Sequence, residues 1–241
     1  MSSVDVHRLA REGQTHLLRK ALQENVSLAW QVDSVSSRDS RTPLQNIISL
    51  PDGSSSCLSA ILDVLPHLDD HDARKNLLEN RDAVGNTALI SASATGNLEL
   101  VSLLVGAGAD VTAANDKGAT ALYYAASKGH VSIGRLLISK GADINTRDKA
   151  NQLPLHRAAT TSALPFIHLI TSSTSPTKPT APRLNQADRA GNTPLHLAIE
   201  SGHAEAAVAL IEAGADRDRC DSQGRRAEEI EGVGGQEAKR G

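Results

Sequence analysis

The stretch NTPLHLAIESGH, Asn192 to His203, places His196 and His203 seven residues apart with Glu200 between them. Read alone, it resembles part of a metal or acid–base site. A site occurs once, whereas a building block recurs at a fixed period, so the rest of the chain decides between chemistry and architecture. The pattern recurs. TPL at Thr42, TAL at Thr87, TAL at Thr120, LPL at Leu153 and TPL at Thr193 are successive anchors, twice 33 residues apart and elsewhere 45 and 40. Gly96-Asn97, Gly129-His130 and Gly202-His203 each fall nine residues after their anchor, and LVGAGAD, LISKGAD and LIEAGAD close three of the units.

This unit resembles the ankyrin repeat, whose period and T-P-L-H-x-A signature it shares. Each of its residues has a local reason. The Thr hydroxyl caps free N–H groups at the start of a first helix, and Pro194 presets φ in the first turn. Ala-rich stretches such as YYAAS (123–127) and HRAAT (156–160) keep that helix thin, so neighbouring repeats approach closely. Gly129 and Gly202 supply the left-handed residue that ends it. A second helix follows in VSIGRLLIS and AEAAVALIE, with apolar positions at helical spacing. The chain then turns outward through a hairpin loop built on D-x-x-G, as in DRAG at 188–191.

The fold expected is an all-α repeat solenoid of about seven stacked ankyrin repeats, spanning 1–241 as a single domain. The repeats start near Val4, Ser37, Asp82, Asn115, Asp148, Asp188 and Asp221. The first is more polar, as a terminal cap must be. The last is cut short and runs into a Gly-rich, charged tail at 232–241 that is expected to fray. Cap-like units at both ends favour a complete chain over an excised one. LPDGSSSCL (50–58) and LDDHDARKN (68–76) interrupt the period in the second repeat, and the Ser-, Thr- and Pro-rich stretch at 172–182 interrupts it in the fifth. All three read as loop growth, which costs little entropy.

Composition narrows the function. The 241 residues are 39% hydrophobic but only 2% aromatic, which suits thin stacked layers better than a compact core. A net charge of −3 without a long basic run argues against a general nucleic-acid binder. No apolar stretch reaches the roughly 18 residues needed to cross a bilayer, and MSSVDVHRLAREG lacks a signal-peptide apolar region. An intracellular monomer is expected, with no membrane or nucleic-acid partner. Cys57 and Cys220 stand alone, giving neither a disulfide framework nor a CxxC knuckle.

The chemical readings fail one by one. His156 and His196 hold the TPLH position, where an imidazole ties neighbouring hairpins, and His130 and His203 follow the inter-helix Gly. Zinc needs converging ligands, and no second cluster exists. GAGAD at 106–110 follows a helix rather than a strand, so it is a helix end and not a dinucleotide loop. Cys57 has no histidine placed beside it. Neither catalytic residues nor a cofactor are expected, and the stretch at Asn192 is architecture.

What remains is the concave face of the stack, made by hairpin tips and first-helix ends. Its candidates are Arg38, Asp39 and Arg41; Val84, Asn86 and Thr95; Lys117, Ser127 and Lys128; Lys149, Gln152 and Thr161; and Arg189, Asn192 and Glu200. Basic residues dominate its early and middle repeats, on a face the fold does not need for packing.

DSRTPL (39–44), ALYYAASKGH (121–130), NQLPLHRAA (151–159), GNTPLHLA (191–198) and the RRAEEI ending resemble gankyrin and its fungal counterparts, ankyrin chaperones of the proteasome regulatory particle. The resemblance spans nearly the whole chain. It implies a non-enzymatic assembly chaperone, cytoplasmic and nuclear. Its concave face would grip the C-terminal helical domain of one ATPase subunit, delaying docking of the immature particle on the proteolytic core. Arg41 of DSRT and Lys128 of YAASK would face carboxylates, a role that suits a guanidinium in particular. Two departures stand out: Asn86 replaces a tryptophan frequent in the family, and Ile199 in LAIES replaces the cysteine of a Leu-x-Cys-x-Glu motif, so binding to retinoblastoma-type proteins is not carried over. An unrelated ankyrin adaptor and an ankyrin portion accessory to an enzyme are the alternatives.

Overall fold

The computed structural model describes residues 5–30, 42–48, 60–61, 71–172 and 181–230. The chain divides into two compact units, Met1–Asp116 and Lys117–Gly241. In both, α-helices are the regular elements among the described residues, with short 3-10 turns and isolated bridge residues, among them the antiparallel bridge between Cys220 and Arg226. This is an all-α ankyrin-repeat solenoid.

The second unit shows the construction most fully. It holds three helix pairs: Ala121–Lys128 with Val131–Ser139, Pro154–Thr160 with Leu164–Ser172, and Pro194–Glu200 with Ala204–Glu212. First helices pack on first helices, with Pro154–Thr160 between its two counterparts, and second helices stack in the same order. Ala125, Ala126, Ala158, Ala159 and Ala198 are wholly buried, which is what small side chains between closely stacked helices require. Leu122, Leu155 and Leu195 fill the first-helix layer, and Leu137, Phe166 and Leu210 the second. Gly134 lies so close to Phe166 that an added Cβ would stand 2.6 Å from its Cζ.

The first unit carries Val6–Arg11, Thr15–Glu24, Pro43–Ile48, Ala88–Thr95 and Leu98–Gly106, with a 3-10 turn at Val26–Trp30. Pro43–Ile48 packs against both Val6–Arg11 and Ala88–Thr95. One interruption of the period differs from expectation: its described part belongs to a helix, His71–Glu79, rather than a loop. The reason is local. ARKNLLE is built mostly of good helix formers, and Leu77 and Leu78, directly after the inserted stretch, are 1% and 3% exposed, so they anchor a helix that extends back into it. Residues 50–58, 173–180 and the tail at 232–241 lie outside the described residues. Among the described residues no helix is long and apolar enough to cross a membrane.

The caps follow the sequence. The hydroxyls of Thr42, Thr87, Thr120 and Thr193 each accept the N–H three residues on. Gly96, Gly129 and Gly202 have φ of 84°, 70° and 74°. Two positions depart from glycine: Asn151 (φ 64°) sits where Gly191 sits in the next hairpin, and Ser162 (φ 51°) takes the inter-helix position.

Candidate protein-binding site

The histidines that raised a chemical reading are spent on structure. His156 Nδ1 accepts the Leu153 N–H at 3.1 Å, and its Nε2 donates to the Asn192 carbonyl at 3.3 Å in the following hairpin. His196 repeats this with Thr193 and with the Arg225 carbonyl. His203 Nε2 reaches the Thr160 carbonyl at 3.1 Å. Burial holds the His156 pKa below its ordinary value, with nearby Asp188 opposing. Gln45 occupies the same register three repeats before His156 and copies the device: its Oε1 accepts the Thr42 N–H, and its Nε2 donates to the Asn80 and Asn86 carbonyls. Among the described residues no cluster of His, Cys, Asp or Glu has metal-binding geometry.

The hairpins are held by their aspartates. Asp82, Asp148, Asp188 and Asp221 each accept two backbone N–H groups, two and four residues on, at 2.7–3.0 Å. For Asp221 the Arg225 N–H is the main cause of a lowered pKa. With these carboxylates engaged in their own turns, the exposed charge of the hairpin tips at Lys149 and Arg189 is cationic, while Lys117 stands next to the exposed Asp116. Lys149 N–H donates to the Lys117 carbonyl and Arg189 N–H to the Ala150 carbonyl, so successive hairpins stack tip on tip and Lys117, Lys149 and Arg189, all exposed, form a row.

Beside this row lie the first helices. Lys128 is exposed at the C-terminal end of Ala121–Lys128, where a cation complements the helix dipole. Glu200 is exposed at the corresponding end of Pro194–Glu200, where its sign is unfavourable by the same argument. Ser127 Oγ accepts a long 3.5 Å contact from Arg157 Nη2. Arg157 itself lies over the Tyr123 ring, 5.9 Å from its centroid. Tyr123 meets Tyr124 edge to face at 5.7 Å, and burial together with Asp148 raises the Tyr123 pKa. Lys128, Lys149, Arg157 and Arg189 make no ion pair among the described residues.

Several candidates prove to be hairpin structure. Asn86 Nδ2 donates to Asp82 and its Oδ1 accepts from Asn115; Gln152 Nε2 donates to Asp188; and the Asn192 carbonyl receives His156. Thr95 and Thr161 return their hydroxyls to their own helices. Val84 is 53% exposed. Arg38, Asp39 and Arg41 lie outside the described residues. Arg157 and Tyr124 carry no signal in the sequence, because both lie in the middle of a first helix rather than at a hairpin tip or a helix end.

Hairpins and paired helices that spend their polar groups on one another, and leave a cationic row, define a repeat protein built for protein contact. The chain belongs to the ankyrin-repeat family: the model for ankyrin repeats in multiple copies matches residues 6–115, 63–148 and 108–181, and that for the single ankyrin repeat matches 190–222. It is similar to the probable 26S proteasome regulatory subunit p28 of Saccharomyces cerevisiae, 32% identical over 233 residues that cover 95% of this chain and 94% of that one. The gankyrin-like resemblance read from DSRTPL, YYAASKGH and NQLPLHRAA therefore holds over almost the full chain.

Proposed function

We propose that this chain is a non-catalytic chaperone for assembly of the proteasome regulatory particle, gripping the C-terminal helical domain of an ATPase subunit with its hairpin tips and first helices. The observation that carries the reading is the likeness, over almost all of both chains, to a protein named as a proteasome regulatory subunit. The cationic row supports it, because stacked like charges cost folding energy and suit an acidic partner, whose encounter they would steer. Lys128 and Arg41 are its proposed carboxylate contacts. The protein is proposed to act in the cytoplasm and nucleus.

The test is affinity purification of the tagged chain from native lysate, read by mass spectrometry. Regulatory-particle ATPase subunits recovered without the proteolytic core support the chaperone. A set of partners lacking any proteasome subunit would sink it and leave an unrelated ankyrin adaptor.

A further inference from the structure

We propose that Arg157, with Tyr123 and Ser127 as its cradle, is a carboxylate-holding subsite of the second unit's binding face, its ligand an acidic side chain on a partner helix. This rests on reading that face as a protein-binding surface. Three observations lead to it. The guanidinium is half-buried and its Nε has no hydrogen-bond partner. No carboxylate among the described residues pairs with it. It nonetheless lies over the Tyr123 ring, Cζ 5.9 Å from the ring centroid, with Nη2 at a long 3.5 Å from Ser127 Oγ.

A part-buried cation costs stability unless it is paired, and a buried N–H without an acceptor adds to the cost. Asp148, on the hairpin that precedes the helix of Arg157, already accepts the Ala150 and Gln152 N–H groups. A half-buried guanidinium beside a ring has fewer rotamers open to it than a fully exposed one, which lowers the entropy lost when its donor edge meets a carboxylate. A planar fork accepts two carboxylate oxygens at once, whereas an ammonium meets them as a point charge. Lys128, at the end of the helix that carries Tyr123, adds a second cation to the same repeat pair, so an acidic segment with more than one carboxylate suits the surface better than a lone acid.

Two measurements on the full chain test this. In the first, the side-chain Nε–H resonance of Arg157 is followed by NMR while a helical peptide bearing two glutamates a turn apart is added, against the same peptide with glutamines. A saturable shift with glutamate alone is expected, absent in R157K when the remaining arginine resonances are followed; no shift up to millimolar peptide overturns the subsite whatever the natural partner. In the second, R157Q and R157K are titrated against purified ATPase C-terminal domains, with denaturation midpoints alongside. R157Q should weaken binding about 30-fold or more, the loss of a desolvated charge contact, and R157K should recover only part, while neither lowers the midpoint. Unchanged affinity of R157Q for a domain that the wild type binds overturns the subsite, as does a midpoint that falls in step with affinity. Failure of the wild type to bind any ATPase domain refutes the proteasome reading and leaves the peptide measurement to decide the subsite.

Discussion

Gln45, Tyr123, His156 and His196 occupy one register position, three residues after the anchor, and Gln45, His156 and His196 each reach from their first helix to the next hairpin. Two chemistries, amide and imidazole, thus perform one task, so the position suits a side chain that spans the distance with a donor at its tip. Histidine differs in being titratable. The His156 ring accepts one backbone N–H and donates to a carbonyl, an arrangement only the neutral imidazole satisfies. Because burial lowers its pKa, the unfolded chain binds a proton first as pH falls below about 6.5, and folding free energy is lost from there down to the folded pKa. His156→Gln keeps the donor and acceptor in the manner of Gln45. Chemical denaturation at pH 7.5 and pH 5.5 should show the wild type losing stability on acidification and the variant losing less; equal losses would place the pH dependence elsewhere.

Elements were the most legible scale, and the reason is repetition. Thr anchors, left-handed glycines and D-x-x-G turns recur with local causes of their own, so each copy corroborates the others. The helix His71–Glu79 was hidden because it belongs to no repeat, and an acidic opening, LDDHD, looks like surface until Leu77 and Leu78 are seen to be buried. Within the repeat, Leu155 is 1% exposed in a helix packed on both sides by other first helices. Leu155→Ala should therefore cost about 2–5 kcal/mol by lost burial and cavity formation, read as a lowered denaturation midpoint. Asn151 holds a left-handed backbone while its Nδ2 donates to the Ala187 carbonyl at 2.7 Å. Asn151→Ala should cost about 1–2 kcal/mol in backbone strain, and Asn151→Gly should recover part of that in the same assay, since glycine removes the strain but not the lost hydrogen bond.

At the scale of the molecule, charge matters more than any single contact. The chain carries a net charge of −3, yet Lys117, Lys128, Lys149 and Arg189 gather on the hairpins and a helix end of the second unit, and Asp148 and Asp188 among them are engaged in their own turns. The sequence showed this asymmetry because the tips are polar by register. It did not show Arg157, whose significance depends on which ring lies beneath it and which carboxylates are already occupied, facts set by packing between repeats. Lys128 is the cleanest probe, being exposed and free of ion pairs among the described residues. Lys128→Glu replaces attraction by repulsion at a site folding does not use, and also places an acid at a helix C-terminus, an unfavourable change of about 0.3–1 kcal/mol. Thermal unfolding should therefore shift only slightly. Titration against the partner ATPase C-terminal domain should weaken by about 2–5 kcal/mol if the contact is desolvated, and by about 0.2–1 kcal/mol if it stays wet. Raising salt should slow wild-type association, since steering is screened over about 10 Å at 0.1 M, and should slow the variant less. Wild-type affinity and an unaltered salt dependence in Lys128→Glu would show that the cationic face is not where the partner binds.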